Sequence, residues 1–222
     1  MEKLNVIITG TTGMVGEGVL LECLSNPQIS QVLSVSRKPT GIAHAKLKEY
    51  LVPDFRSITP GDSKLTGYDA CFFCAGVSSV GMNEADYTRI TYDTTLHLAA
   101  ILAQQNPQMT FIYVSGASTD STEKGRSMWA RVKGRTENAL TKLPFKRVYN
   151  FRPGLMKPVP GQQRVLALYK WLGWWMFPLF KLILPNSAST LQQVARAMIK
   201  CAATDAGQSI MEVRDINRLG AN

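Results

Sequence analysis

One stretch constrains this chain more than any other. Leu4-Asn5-Val6-Ile7-Ile8-Thr9 leads straight into Gly10-Thr11-Thr12-Gly13-Met14-Val15-Gly16. The run from Leu4 to Ile8 is short and apolar, the pattern of a strand buried on both faces. Gly10 suits a turn whose backbone angles are open to glycine. Gly13 lets the backbone approach a bound group closely, and Gly16 lets the following helix pack tightly on a sheet. That helix is expected over about 13–25, with Val15, Val19, Leu20, Cys23 and Leu24 as its apolar residues. Its first turn would offer N–H groups and the positive end of its dipole to phosphate. A glycine triplet alone says little. Set between a buried strand and an apolar helix, it points to a phosphate cradle rather than a bare turn.

The rest of the chain alternates in the same way. Strands are expected at 32–36, 47–52, 68–75, 109–115 and 145–151, with helices at 84–105 and 127–141 between them. This order predicts an α/β fold, a Rossmann-like doubly wound parallel sheet with ligands bound beyond the strand ends on one edge. After Arg152-Pro153-Gly154 the composition changes, with Pro158, Pro160 and Gly161 close together. The expected division is a nucleotide-binding core over 1–154 and a small, mainly helical cover lobe over 155–222, packed as one compact unit. The lobe would contain a helix near 189–203 and a short strand near 210–213.

Composition narrows the partners. The formal net charge of +9 favours anionic ligands. The cations are scattered, with no basic run interleaved with aromatics, which argues against nucleic acid. Cys71 and Cys74 form a C-x-x-C string, but it falls on an expected strand, where residues three apart face opposite sides. Together with Cys23 and Cys201 they read as core thiols. His44 and His97 stand alone, and no His, Cys and carboxylate set has metal-ligand spacing. The start of the chain runs directly into a strand without a secretory pattern, so a cytoplasmic location is expected.

Thr9-Gly10-Thr11-Thr12-Gly13-Met14-Val15-Gly16 resembles the TGxxGxxG turn of the short-chain dehydrogenase/reductase superfamily. The likeness is strongest to its extended and atypical branches, which include nucleotide-sugar epimerase-like proteins. The resemblance implies cofactor contacts at Gly10, Thr12, Gly13, Met14 and Val15, at Asp54 beside the adenine, and at Ala75-Gly76 after the fourth strand. It also implies contacts at Arg152-Pro153-Gly154 near the nicotinamide. The end of the second strand reads Val35-Ser36-Arg37-Lys38-Pro39. A carboxylate there would hold the 2′-hydroxyl of NAD; Arg37 and Lys38 instead suit a 2′-phosphate, which favours NADP(H) over NAD(H).

The resemblance places a catalytic hydroxyl at Ser115, and at Lys133 the lysine that holds the nicotinamide ribose. The tyrosine that acts as acid or base falls at Trp129. Residues i and i+4 share a helix face, so Trp129 and Lys133 should line one site, with Ser78 and Tyr92 near the substrate. Indole N–H donates a hydrogen bond but has no useful pKa. Three readings stay open. Another group (Tyr92, Asp93, Tyr87 or water) supplies the proton; transfer needs no protein acid; or the chemistry is lost and the protein senses cofactor state.

The most apolar stretch, 165–185, holds three of the four tryptophans. Pro178 interrupts it and only ten residues separate Lys170 from Lys181, so a membrane span is not expected. A lobe core or homodimer contact, a hydrophobic substrate wall and a membrane-surface contact are the readings it allows. Taken together, the sequence points to an oxidoreductase-like or epimerase-like protein. Hydride would pass between NADPH and a small carbonyl or hydroxyl compound, the apolar lobe favouring a hydrophobic one. The alternative is a catalytically impaired cofactor sensor or scaffold acting on a protein partner.

Overall fold

The computed structural model describes residues 3–165 and 187–221. The chain forms β1 (Leu4–Thr9), α1 (Met14–Ser25), β2 (Ile29–Ser36), β3 (Leu47–Leu51) and β4 (Ala70–Phe73). Then come α2 (Glu84–Thr88), a π-helical turn (Arg89–Asp93), α3 (Thr94–Gln105), β5 (Thr110–Val114), α4 (Met128–Leu140) and β6 (Arg147–Arg152). A short pair follows, β7 (Leu155–Lys157) and β8 (Ala188–Thr190), then α5 (Leu191–Ala203), β9 (Ile210–Glu212) and α6 (Val213–Gly220).

The main sheet has seven strands in the order β3-β2-β1-β4-β5-β6-β9, each paired parallel with its neighbour. Parallel strands are covered on both faces, and strand parity assigns each residue to one of two cores. Val6, Ile8, Phe72, Ile112 and Phe151 face a core shared with Val19 and Leu20 of α1 and Val194 and Met198 of α5. Ile7, Leu33, Phe73, Phe111 and Tyr113 face the other, with Leu98 and Leu102 of α3 and Leu140 of α4. Cys71 belongs to the second core and Cys74 packs against the first, so the C-x-x-C string is split by the sheet as expected. Among the described residues the cysteines are free.

The expected long helix is three pieces, because a π-helical turn separates α2 from α3. The C-terminal region is more integrated than a cover lobe. β9 extends the main sheet beside β6, and α5 packs on α1 in the layer covering one face. A capping box starts α5: Gln193 N–H donates to Thr190 Oγ1 at 3.0 Å, and Thr190 N–H donates to Gln193 Oε1 at 3.0 Å. Apart from Val165, the apolar stretch 165–185 lies outside the described residues. No helix among the described residues is long and apolar enough to cross a membrane.

Candidate functional site

The order of the sheet reverses direction between β1 and β4, the place where doubly wound sheets open a crevice. A cavity of about 500 Å³ lies there. Gly10, Thr12 and Gly13 form one wall and Ser36 and Arg37 a second; Pro53 to Arg56, after β3, form a third. Phe73 to Val77 close the β4 side, and Arg89, Ile90 and Thr94 reach in from the π-helical turn and α3.

The glycine turn makes this cavity possible. Gly10 has φ +70°, and a Cβ there would sit 2.7 Å from the Ala75 backbone. A Cβ on Gly16 would lie 2.1 Å from Gly10 O, so a side chain at that position would push the turn off the helix. Gly13 N–H donates to Gly10 O at 2.9 Å and closes the turn. No side chain caps α1, so its first-turn amides are open to an anion. A glycine cradle, an uncapped helix start and a cleft of this size fit the diphosphate and adenylate half of a dinucleotide.

Three arginines line the cleft. Arg56 donates to Asp54 Oδ2 at 2.7 Å, and its guanidinium holds the Asp54 carboxyl below the usual range. Arg89 pairs with Asp86 at 3.2 Å. Arg37 is exposed and makes no ion pair among the described residues. Cys74 also lines the cavity, and burial pushes its thiol up to about 12, so it stays protonated and inert.

Beyond β5 lies a second cluster, carried by α4. Trp129 places its ring against Gly116, within 3.9 Å of where a Cβ would stand. One helical turn on, Lys133 Nζ donates to the Ser115 carbonyl. Burial draws the Lys133 pKa down to about 8, and the Glu137 carboxylate one further turn along opposes part of that shift. Glu137 is almost fully buried. Its Oε1 accepts from Ser115 Oγ at 2.5 Å and Arg152 Nε at 3.0 Å, and its Oε2 accepts from Arg152 Nη2 at 2.5 Å. Arg152 also reaches Glu212 at 3.2 Å and Ser121 at 2.5 Å.

Of the expected cofactor residues, the cleft brings together Gly10, Thr12, Gly13, Arg37, Asp54, Ala75 and Gly76. Met14 and Val15 sit on the first turn of α1 behind them, with Val15 packed toward the core. Lys38 is exposed and lies outside the lining; its carbonyl accepts from Ser36 Oγ at 2.8 Å. The other expected residues lie outside the lining of the cleft. Arg152 is turned into the Glu137 network, Pro153 offers its carbonyl to Ala117 N–H, and Gly154 is pressed against Ser187, so none of the three faces the cleft. Ser115 is buried; its hydroxyl donates to Glu137 Oε1 at 2.5 Å and also lies 3.1 Å from Phe151 O. Tyr92 lies under the Arg135 guanidinium at 4.4 Å; Arg135 is two residues along α4 from Lys133 and so on another face. Ser78 is exposed, beyond the cavity lining.

Tyr87 is buried, and burial raises its pKa further; Asp93 is exposed. His97 Nε2 lies 2.9 Å from Ile58 O, and His44 Nδ1 accepts from Lys46 N–H at 3.1 Å, so both histidines serve local structure. No metal-binding cluster is present among the described residues. Sequence reasoning missed Arg56, Arg89 and the Glu137 carboxylate. Glu137 was findable, because it continues the i, i+4 series from Trp129 and Lys133. Arg89 was not, because the π-helical turn changes the facing of the residues around it.

The fungal protein fmp52 from Emericella nidulans, named as mitochondrial, is 29% identical over 159 residues; the match spans 68% of this chain and 66% of that protein. Relatives of the same name from three Aspergillus species also match, and this finding overturns the expected cytoplasmic location. Among solved structures, a UDP-N-acetylglucosamine 4-epimerase from Methanobrevibacter ruminantium superposes with a TM-score of 0.67 at 15% identity, over 95% of this chain and 76% of that one. An oxidoreductase from Lactococcus lactis superposes with a TM-score of 0.65 at 16% identity, over 97% and 95% of the two chains. These two show the shared fold. The model of the NAD dependent epimerase/dehydratase family matches residues 6–142, more than half of the sequence and the whole of the cleft described above. The chain belongs to the NAD dependent epimerase/dehydratase family.

Proposed function

We propose that this protein binds NADP(H) in the cleft between the glycine turn and β2 and serves hydride transfer to or from a small carbonyl or hydroxyl compound. One observation carries the cofactor preference. Arg37 lines the cleft at the end of β2 with no carboxylate beside it on that strand end and no ion pair among the described residues. A guanidinium there forks onto a 2′-phosphate, whereas a 2′-hydroxyl gives it little to hold. Arg37→Ala is expected to weaken NADPH binding by roughly tenfold or more while changing NADH binding less than about twofold. Equal losses for both would overturn the 2′-phosphate assignment.

The bound nicotinamide supplies the hydride donor or acceptor. The chain would hold the adenylate with Arg37 and Asp54 and the diphosphate with the first-turn amides of α1. Trp129 would wall the nicotinamide end. The Ser115 carbonyl anchors Lys133, and with its pKa near 8 Lys133 can keep a proton and release it close to neutrality. Ser115 and Glu137 then act as positioning residues. A second reading is favoured by a specific observation: the Ser115 hydroxyl is committed to Glu137, and an indole stands one turn before Lys133. A cofactor sensor acting through a protein partner would look the same. NADPH oxidation dependent on an added carbonyl compound separates the two; binding without turnover across a broad panel would sink the enzyme reading.

A further inference from the structure

Residues 159–165 follow β7 and cross back over the start of α1. Gln162 Nε2 donates to Met14 O at 2.5 Å. The Gln163 and Arg164 N–H groups donate to the buried Glu17 carboxylate at 3.0 and 2.7 Å. This strap sets the Arg164 side chain between two loops that flank the cleft. Its Nη1 donates to Thr12 O in the glycine turn at 3.4 Å, and its Nη2 to Thr40 O in the loop after Arg37 and Lys38 at 3.2 Å.

Those contacts are long for a cation and reach only neutral carbonyls. Arg164 is half-buried and pairs with no carboxylate among the described residues, while both Glu17 oxygens already accept backbone amides. The guanidinium therefore adds positive charge beside the uncapped start of α1 and on the loop side that carries Arg37. Positive charge with carbonyl contacts but no carboxylate partner, next to open helix amides, suits an anionic ligand group.

We infer that Arg164 is a second arginine for the adenosine 2′-phosphate, carried to the cleft by the strap, so that NADP(H) binding fastens residues 162–164 over the start of α1. The inference rests on the proposed NADP(H) site. It goes beyond that site because the strap lies more than a hundred residues from the glycine turn and from β2. It makes the hold on the strap, already seated on α1 by three hydrogen bonds, stronger in response to one phosphate group of the ligand. NADP(H) and 2′,5′-ADP would hold the strap down; NAD(H) and 5′-AMP would leave it as it is.

The test titrates wild type, Arg164→Gln and Arg164→Lys with NADPH and NADH, and follows tryptic cleavage after Arg164 in the wild type. Arg164→Gln is expected to weaken NADPH binding by roughly tenfold and NADH by less than about twofold, with partial recovery in Arg164→Lys. In the wild type, 2′,5′-ADP should slow cleavage after Arg164 and 5′-AMP should not. That arm needs no variant, so it stands even if Arg164→Gln folds poorly. Wild-type selectivity for NADPH combined with an unchanged Arg164→Gln, or with equal losses for both nucleotides, overturns the role of Arg164 and leaves the cleft assignment in place. Equal protection by 2′,5′-ADP and 5′-AMP also overturns it. A wild type that binds neither nucleotide overturns the cleft assignment itself.

Discussion

Glu137 gathers Ser115, Arg152 and, at longer range, Lys133 around one buried carboxylate. Burying a carboxylate against a guanidinium adds little by itself, but removing one partner strands the other charge in the interior. Glu137→Ala should therefore destabilise the fold by about 3–5 kcal/mol, read as a fall in the denaturation midpoint. Lys133 carries a signed pH effect. Its pKa falls from an ordinary 10.5 to about 8, so between those values the unfolded chain binds the proton that the folded chain has lost. Its contribution to stability is therefore least favourable below pH 8 and improves as pH rises toward 10.5. Lys133→Met should flatten that rise in a series of unfolding curves; an unchanged slope would remove Lys133 as its source. At this scale the place of Arg37 on the cleft was legible, because a position at the end of a strand needs no long-range information. The inward turn of Ser115 was half legible. It shares strand parity with Phe111 and Tyr113, which face the core under α3 and α4, but its acceptor 22 residues away could not be read from parity.

Two elements set the cleft, the glycine turn with α1 and the π-helical turn before α3. The first was readable because apolar strand, glycine spacing and apolar helix agree with one another at every position. Gly16→Ala should cost about 1–3 kcal/mol and weaken nucleotide binding as well, since its Cβ would meet Gly10 O at 2.1 Å. Normal binding and stability in that variant would mean the turn is looser than described. The π-helical turn was not readable, because one apolar period runs across it and the extra residue in that turn leaves no composition signal. The capping box of α5 offers a cleaner test of local structure. Thr190→Ala should cost about 1 kcal/mol by thermal unfolding without altering nucleotide affinity, because α5 covers the sheet and does not line the cleft.

For the molecule as a whole, alternating strands and helices led to the observed parallel sheet, and the two cores follow from strand parity. The C-terminal region was harder to read. The short β9 joins the sheet next to β6, and α6 presses so closely on α5 that a Cβ on Gly220 would lie 2.1 Å from Gln193 O. Such contacts depend on where distant segments arrive, and local periodicity does not encode that. The strap from Gln162 to Arg164 is the same kind of feature, and it brings the Arg164 guanidinium to Thr12 O of the glycine turn and Thr40 O of the loop after β2. The proposed function stands on selection of a dinucleotide by its 2′-phosphate. Titration of the purified protein with NADPH and NADH in parallel, followed by nicotinamide fluorescence, tests it most directly. NADPH is expected to bind at least about tenfold tighter than NADH. NADH binding as tight as NADPH, or no binding of either, would contradict it.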